Sequence, residues 1–320
     1  MRAVVYDDYG PANGLELREV PIPVPKDGEV LVRIRAASVN SWDWDLLTGS
    51  PFIARIDSIR SPEHPILGCD IAGVVEVVGS GVESLAVGDE VMGDTSGCGF
   101  GGFAEYVAIP ADVLSRKPST TTFDEAAAIP QAGVLALQGL RKAGVAQGTR
   151  LLMNGAGGGV GTFAIQMAKA VGAEVTAVDD GGKLEMLRSI GADHVIDYRE
   201  EDFATSDERY DAVLDVVARR SVFAHRRVLR PGGRYVIIGG RTWTLATSTV
   251  GGAVLRFVDG KHVGILVHRP NPVDLDEVNA MVEAGTLSPV IDRRYPLEKT
   301  PDALNRIGSG QALGKLIITM

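Results

Sequence analysis

The chain has 320 residues, 45% of them apolar and 23% charged, with a formal net charge of −9 and a pI near 5.1. That length accommodates two domains with separate cores, and the acidic balance argues against a nucleic-acid backbone or an anionic membrane surface as partner. The only cysteines, Cys69 and Cys98, exclude both a disulfide framework and a four-thiolate zinc site. No apolar run reaches the roughly 18 residues of a membrane span. The first residues, Met1-Arg2-Ala3-Val4-Val5-Tyr6, read as a strand and not as a secretory signal, so a cytoplasmic protein is expected.

In chain order, residues up to about Pro118 read as short β-structure. Apolar runs at 30–34, 71–78 and 103–109 alternate with punctuation such as Pro21-Ile22-Pro23-Val24-Pro25 and Gly79-Ser80-Gly81. That spacing predicts a small, partly open β-barrel. From Thr122 the period changes. Phe123-Asp124-Glu125 opens a helical stretch reaching about Ala143, with Pro130 as a point of interruption.

Residues 150–180 carry the strongest signal. Leu151-Leu152-Met153 has the continuous apolarity of a strand buried on both faces. Asn154-Gly155-Ala156-Gly157-Gly158-Gly159-Val160-Gly161 follows, and then Val160, Phe163, Ala164, Met167, Ala168 and Val171 recur at the spacing of one helix face. A second strand, 175–178, closes on Asp179-Asp180. Glycines let the backbone turn tightly and approach a pyrophosphate, while the helix N-terminus offers free N–H groups and the positive end of its dipole. Gly155, Gly157, Gly158, Gly159, Val160 and Gly161 are therefore candidates for holding a dinucleotide.

Alternation continues through helix 183–190, strand 194–196, strand 212–217, helix 221–229 and strand 234–238, which ends on Gly239-Gly240. This is the pattern of a doubly wound parallel sheet with its ligand across the strand C-termini. By that rule Val216, Val217, Gly239 and Gly240 join the cofactor candidates. The tail offers strand 263–267, helix 275–283, strand 290–295, helix 301–307 and strand 315–319. It is too short for a domain of its own and is expected to complete the first. The expected division is 1–121 with 263–320, and 122–262.

Several stretches together resemble the medium-chain dehydrogenase/reductase superfamily, in its zinc-independent, zeta-crystallin-like quinone oxidoreductase branch. They are Ala37-Ser38-Val39-Asn40, Ile66-Leu67-Gly68-Cys69-Asp70-Ile71-Ala72-Gly73, Val87-Gly88-Asp89-Glu90-Val91, Gly102-Phe103-Ala104-Glu105-Tyr106, the glycine turn, Gly191-Ala192-Asp193-His194-Val195-Ile196-Asp197-Tyr198, and Pro231-Gly232-Gly233. They run in family order over nearly the whole chain. The resemblance implies an α/β fold: a GroES-like β-barrel catalytic domain plus a Rossmann domain with a doubly wound parallel sheet, and an active site in the cleft between them. It also implies a homodimer.

Zinc alcohol dehydrogenases of that superfamily hold their catalytic metal with Cys, a His-Glu pair and a second Cys. The corresponding places here carry Asn40, Cys69-Asp70 and the neighbourhood of Pro130-Gln131, and one soft ligand does not make such a site. No metal is expected, and Cys98 reads as a small apolar filler. The resemblance implies hydride transfer from NAD(P)H to a quinone or to the β-carbon of an α,β-unsaturated carbonyl. The alternatives are a 2-enoyl thioester reductase and a non-catalytic, crystallin-like dinucleotide-binding protein. Asp179-Asp180 at the end of the second strand favours NADH, because a carboxylate accepts from ribose hydroxyls and repels a 2′-phosphate. Lys183 is the only cation near it in sequence.

Asn40 resembles the family residue lining the nicotinamide end. Its side chain either donates to a substrate carbonyl or caps its own turn. Asp43 either touches the substrate or ties the loop down, and Trp42, Trp44 and Gln131 are candidates for the substrate pocket. Tyr198 resembles the family residue near the adenosine half, and Leu266-Val267 the segment approaching the nicotinamide. Gly314 and Lys315 complete the cofactor candidates. Asp215 reads as structural and His268 as solvent-facing.

Overall fold

A computed structural model of the chain describes residues 1–50, 52–55, 61–239 and 260–320. It divides into two compact units, one of Met1–Val134, Pro270–Gly285 and Pro289–Met320, the other of Leu135–Arg269 and Thr286–Ser288.

The first unit is built around strand β3 (Glu29–Val39). Its first half pairs with β6 (Tyr106–Pro110) and its second half with β15 (Lys315–Thr319), while β4 (Asp70–Val78) runs along its other edge. The sheet continues through β5 (Glu90–Asp94) and β7 (Leu114–Arg116), and β14 (Ile291–Pro296) flanks β15. A small ribbon of β1 (Arg2–Val5) and β2 (Glu16–Glu19) lies apart from it. Residues 32–35 of β3 alternate in the period-two manner, Val32 and Ile34 buried against exposed Arg33 and Arg35. From Ala36 to Val39 every residue is buried. The small residues there leave room for α2 (Phe123–Ala127), which packs on β3 and β4.

Thr122 caps α2 reciprocally with Glu125, its main-chain N–H donating to Glu125 Oε2 at 2.8 Å. Pro130 begins α3 (Pro130–Ala143) and does not interrupt it, since a first-turn proline loses no helical hydrogen bond. Besides α2 and the first turn of α3, which passes into the second unit at Leu135, this unit holds α1 (Ser41–Thr48), α7 (Pro272–Glu283) and α8 (Thr300–Gly308).

The second unit is a six-stranded parallel sheet. Its strands are β8 (Arg150–Asn154), β9 (Glu174–Asp179), β10 (His194–Asp197), β11 (Tyr210–Asp215), β12 (Leu229–Ile237) and β13 (His262–Ile265). They lie in the order β10, β9, β8, β11, β12, β13, which is the 3-2-1-4-5-6 order of a dinucleotide-binding sheet. Helices α4 (Gly159–Ala170), α5 (Leu184–Ser189) and α6 (Val222–Val228) complete it.

The division differs from the expected one at Thr286–Ser288, which joins the second unit, and at both domain boundaries. Residues 122–134 belong to the first unit, where α2 caps the barrel strands. Residues 263–269 belong to the second, because β13 pairs with β12 in parallel from Arg234↔His262 to Ile237↔Ile265. Both boundaries misplace short segments whose sequence shows their period but not their partner.

Candidate active site

In the second unit the strand order reverses between β8 and β11, the place where such sheets take their ligands. Gly155 turns the chain out of β8 at φ +79°, and a Cβ there would lie 2.4 Å from Val217 Cγ2 and 2.6 Å from Val216 Cγ2. Only glycine lets the turn after β8 and the loop after β11 press together. Gly158 caps α4, and a Cβ on Gly161 would lie 2.3 Å from the Ala156 carbonyl oxygen, so the helix starts flush against its own turn. Gly159 and Val160 form the first turn of α4, whose N-terminal N–H groups suit a pyrophosphate. Val216 and Val217 follow β11, Gly239 follows β12 at φ +82°, and Leu266 follows β13, its N–H donating to Ile237 O at 2.8 Å. Val267 is exposed beside it. Gly240 lies outside the described residues.

The acidic pair at the end of β9 is engaged. Asp179 Oδ2 accepts from Gly157 N at 2.7 Å, and its Oδ1 lies 3.2 Å from Lys183 Nζ. Asp180 accepts from Gly182 N at 3.0 Å and pairs with Arg199. Lys183 is thus not the only cation at this place. The parallel register Asp197↔Asp179 brings the chain just after β10 alongside the end of β9, a consequence of strand pairing and not of sequence proximity. Tyr198, 47% exposed, has the Arg199 guanidinium 5.9 Å from its ring centroid.

In the first unit three neighbouring strands assemble a buried polar cluster. The register Leu316↔Val39 sets Lys315 beside Asn40, and Ser38↔Asp70 sets Asp70 across from them. Lys315 Nζ donates to Asn40 Oδ1 at 2.6 Å and to Asp70 Oδ2 at 3.1 Å. The same Asp70 oxygen accepts from Ser38 Oγ at 2.8 Å and Asn40 Nδ2 at 2.9 Å, and Asp70 Oδ1 from Gln131 N at 2.9 Å. Burial pushes the Asp70 carboxyl up, the Lys315 ammonium opposes this, and Asp94 adds to it.

Below this cluster, Asp43 Oδ2 accepts from Asn40 N at 2.8 Å, and Asp43 Oδ1 from Gly68 N at 3.0 Å and Cys69 Sγ at 3.3 Å. Burial raises the Asp43 carboxyl to about 7 against the pull of those donors. Burial, with Asp43 next in size, holds the Cys69 thiol well above its ordinary value.

The geometry bears on four of the expected site residues. Asp43 has no exposed surface and serves as the loop tie, not as a substrate contact. Trp44 packs on α8, where a Cβ on Gly308 would meet its indole at 2.5 Å, and it lies partly buried against the barrel core. Lys315, 2% exposed, has its ammonium bonded to Asn40 and Asp70. Gly314, at φ +81°, is required by the approach of the Val290 carbonyl, 2.3 Å from where a Cβ would stand, which accounts for it without a cofactor. Gln131 contributes its main-chain N–H to Asp70, and Trp42 remains partly exposed on α1.

Two features escaped the sequence. Arg199 is one. The other is a network at the end of β11: Asp215 accepts from Asn154 Nδ2, Val217 N, Ala218 N and Tyr235 Oη, and His225 Nε2 lies 3.1 Å from it. Nothing in local sequence links residues 154, 215, 225 and 235; sheet order does.

Both halves of the chain match family models, the alcohol dehydrogenase GroES-like domain over residues 26–119 and the zinc-binding dehydrogenase over residues 190–318. With this fold and site, the chain belongs to the medium-chain dehydrogenase/reductase superfamily, among its zeta-crystallin-like quinone oxidoreductases and enone reductases. A 2-methylene-furan-3-one reductase of Solanum lycopersicum is 36% identical, covering 99% of this chain and 79% of the relative. The quinone oxidoreductase from Coxiella burnetii superposes with TM-score 0.90 at 30% identity over 100% of this chain and 99% of its own. Escherichia coli quinone oxidoreductase complexed with NADPH does so with TM-score 0.88 at 25% identity over 100% of both chains.

The donors around Asn40 do not fit the zinc that the second family model's description implies. An amide, a thiol held in its protonated form and a carboxylate bound to an ammonium leave no set of three free ligands. Among the described residues no group of three His, Cys, Asp or Glu is placed to hold a metal ion. Nor is any described helix long and apolar enough to cross a membrane.

Proposed function

We propose that the protein reduces a quinone, or the C=C bond of an α,β-unsaturated carbonyl, with hydride from NAD(P)H and without a metal. The observation that carries the metal-free part is the Lys315–Asn40–Asp70 arrangement. The buried Lys315 ammonium donates to Asn40 Oδ1 at 2.6 Å, which polarises the amide and strengthens its N–H groups as donors. One Nδ2 hydrogen serves Asp70; the other is available for a carbonyl oxygen on which enolate charge develops. The bound dinucleotide supplies the hydride. The chain holds it through the glycine turn and the loops after β8 and β11, and orientation of the two reactants supplies much of the acceleration. Proton return to carbon comes from water.

The reading includes a preference for NADH, supported by the Asp179 and Asp180 carboxylates. The Lys183 and Arg199 partners weaken their repulsion of a 2′-phosphate, so the preference is modest. It also includes a homodimer in the cytoplasm, which light scattering and cell fractionation test.

Two experiments test the chemistry. Asn40→Ala lowers turnover by roughly 10- to 1000-fold, the range of a lost oxyanion donor, with NADH affinity nearly intact; an unchanged turnover removes Asn40 from the chemistry. Deuterium from C4-labelled NADH appears on the β-carbon of a reduced enone. Its arrival on the carbonyl carbon would make the protein a carbonyl reductase instead.

A further inference from the structure

We propose that Asp215 is a positioning residue for the cofactor, its carboxylate setting the 216–218 loop against the glycine turn before the dinucleotide arrives. This rests on the reading that this loop and turn hold the dinucleotide.

One carboxylate ties together three strand ends where the sheet order reverses. Asp215 closes β11. Its Oδ1 accepts from Asn154 Nδ2 at 2.9 Å, and Asn154 is the last residue of β8, immediately before the glycine turn. The same oxygen accepts from Val217 N at 3.0 Å and Ala218 N at 2.8 Å, in the loop that follows it. Its Oδ2 accepts from Tyr235 Oη at 2.9 Å, from β12. His225 Nε2 lies 3.1 Å from that oxygen, with its ring stacked on Tyr235 at 4.3 Å and 18°.

Two further observations mark the loop as the object of this network. Ala218 is fully buried at φ +42°, a left-handed conformation that a residue with a Cβ adopts only where its surroundings impose it. Val216 and Val217 stand so close to Gly155 that a Cβ there would overlap both. A shift of the loop therefore moves the glycine turn, and the converse. Burial pushes the Asp215 carboxyl up, but His225 and the two loop N–H groups outweigh it and hold the carboxyl below its ordinary value. The acceptor is therefore an anion, and charge-assisted hydrogen bonds are the stronger kind.

An amide in place of the carboxylate keeps the shape. With its oxygen toward Val217 N and Ala218 N and its NH2 toward Tyr235 Oη and His225 Nε2, it keeps the contacts but loses the negative charge that makes them strong.

The control lies on the same strand. Asp211, near the opposite end of β11, accepts from Arg150 N at 2.9 Å and pairs with Arg230. A merely structural carboxylate gives the same pattern at both ends; a positioning one does not. NADPH and NADH affinities of full-length Asp215→Asn and Asp211→Asn are measured by fluorescence titration, with kcat and the acceptor KM at saturating cofactor. Asp215→Asn raises both cofactor Kd values by roughly 10- to 100-fold and leaves the acceptor KM within about threefold. Asp211→Asn shifts only the unfolding midpoint. Equal cofactor Kd values in the wild type and a folded Asp215→Asn overturn the proposal.

Val217→Glu separates this from the underlying reading. Normal cofactor binding by that variant shows that the loop does not face the dinucleotide, and the cofactor reading falls with the inference. Loss of binding there, with Asp215→Asn unaffected, overturns the positioning role alone. Should Asp215→Asn not fold, hydrogen exchange of the wild type decides: protected Val217 and Ala218 amides in the free protein support a preset loop, and exchange at unstructured rates overturns it.

Discussion

Asp70 in the barrel unit and Asp215 in the Rossmann unit are both sealed from water, and each accepts hydrogen bonds from four groups. Their balance is opposite. Asp70 is compensated by a full ammonium charge, yet burial and the neighbouring Asp94 still drive its carboxyl up. Asp215 has no such ammonium, but the His225 imidazole first, and then the Ala218 and Val217 main-chain N–H groups, bring its carboxyl down against the cost of burial. The difference lies in geometry. Peptide N–H groups cannot leave, so they stabilise the anion wherever the backbone aims them, whereas Lys315 divides its ammonium between Asp70 and Asn40. The barrel cluster depends on one distant charge, the Rossmann cluster on His225 together with local backbone.

That contrast is broken most directly at Lys315. Lys315→Met strands the Asp70 carboxylate in the barrel, an uncompensated buried charge costing about 3–5 kcal/mol of stability in urea unfolding. Adding Asp70→Asn recovers most of the loss, because no charge is then left unpaired. His225→Phe removes a partner of Asp215 but leaves its four other donors, so it costs about 1–2 kcal/mol. Comparable losses for Lys315→Met and His225→Phe would erase the distinction.

The two clusters also differ in how far they were legible from sequence. The glycine turn, helix 159–170 and the strand ending on Asp179 were readable because all their determinants lie within about thirty residues. The period of β13 was readable too, but not its sheet, since hydrophobicity shows that a strand is buried and not what it pairs with. Asn40 and Lys315 are separated by 275 positions and meet only through the β3–β15 register. Asp43 shows a further limit. A carboxylate three residues after Asn40 is as compatible with a substrate contact as with a loop tie, and only its complete burial decides. Ala218 sits at positive φ, a backbone state that its own residue type gives no hint of.

Asp43 sharpens the barrel side of the comparison through pH. Its folded value of about 7 is above the roughly 3.9 of an unfolded Asp. A raised acid favours the folded state fully below the unfolded value, and that contribution is lost as pH rises through the folded one. Relative to Asp43→Asn, the wild type should therefore lose about 3 kcal/mol between pH 5 and pH 8. A difference independent of pH would mean that the carboxyl is ionised throughout. Asp215 has the opposite sign: its depressed value contributes stability above the unfolded pKa, lost as pH falls through the folded one.

A smaller effect is expected at the edge of the Rossmann unit. Asp180→Ala releases Arg199, which then offers a guanidinium where a 2′-phosphate would lie. NADPH affinity should rise against NADH by roughly 3- to 30-fold at low salt, less at high salt. Arg199→Ala in the same background should cancel the gain. A gain that survives it would assign the phosphate to Lys183.

The smallest effect tests the backbone half of the contrast. Ala218→Gly removes the Cβ that makes φ +42° costly, so the variant should be more stable by about 0.5–1 kcal/mol. Part of that is offset because glycine is freer in the unfolded chain. The informative quantity is the coupling to Asp215. If the carboxylate is what holds the strained residue, a loop that no longer carries strain needs the carboxylate less. The Asp215→Asn loss should then shrink by about 0.5 kcal/mol or more in the Ala218→Gly background. Strictly additive losses would mean that the strain is imposed by packing around Ala218, and the carboxylate would then be an anchor for Asn154 and Tyr235 alone.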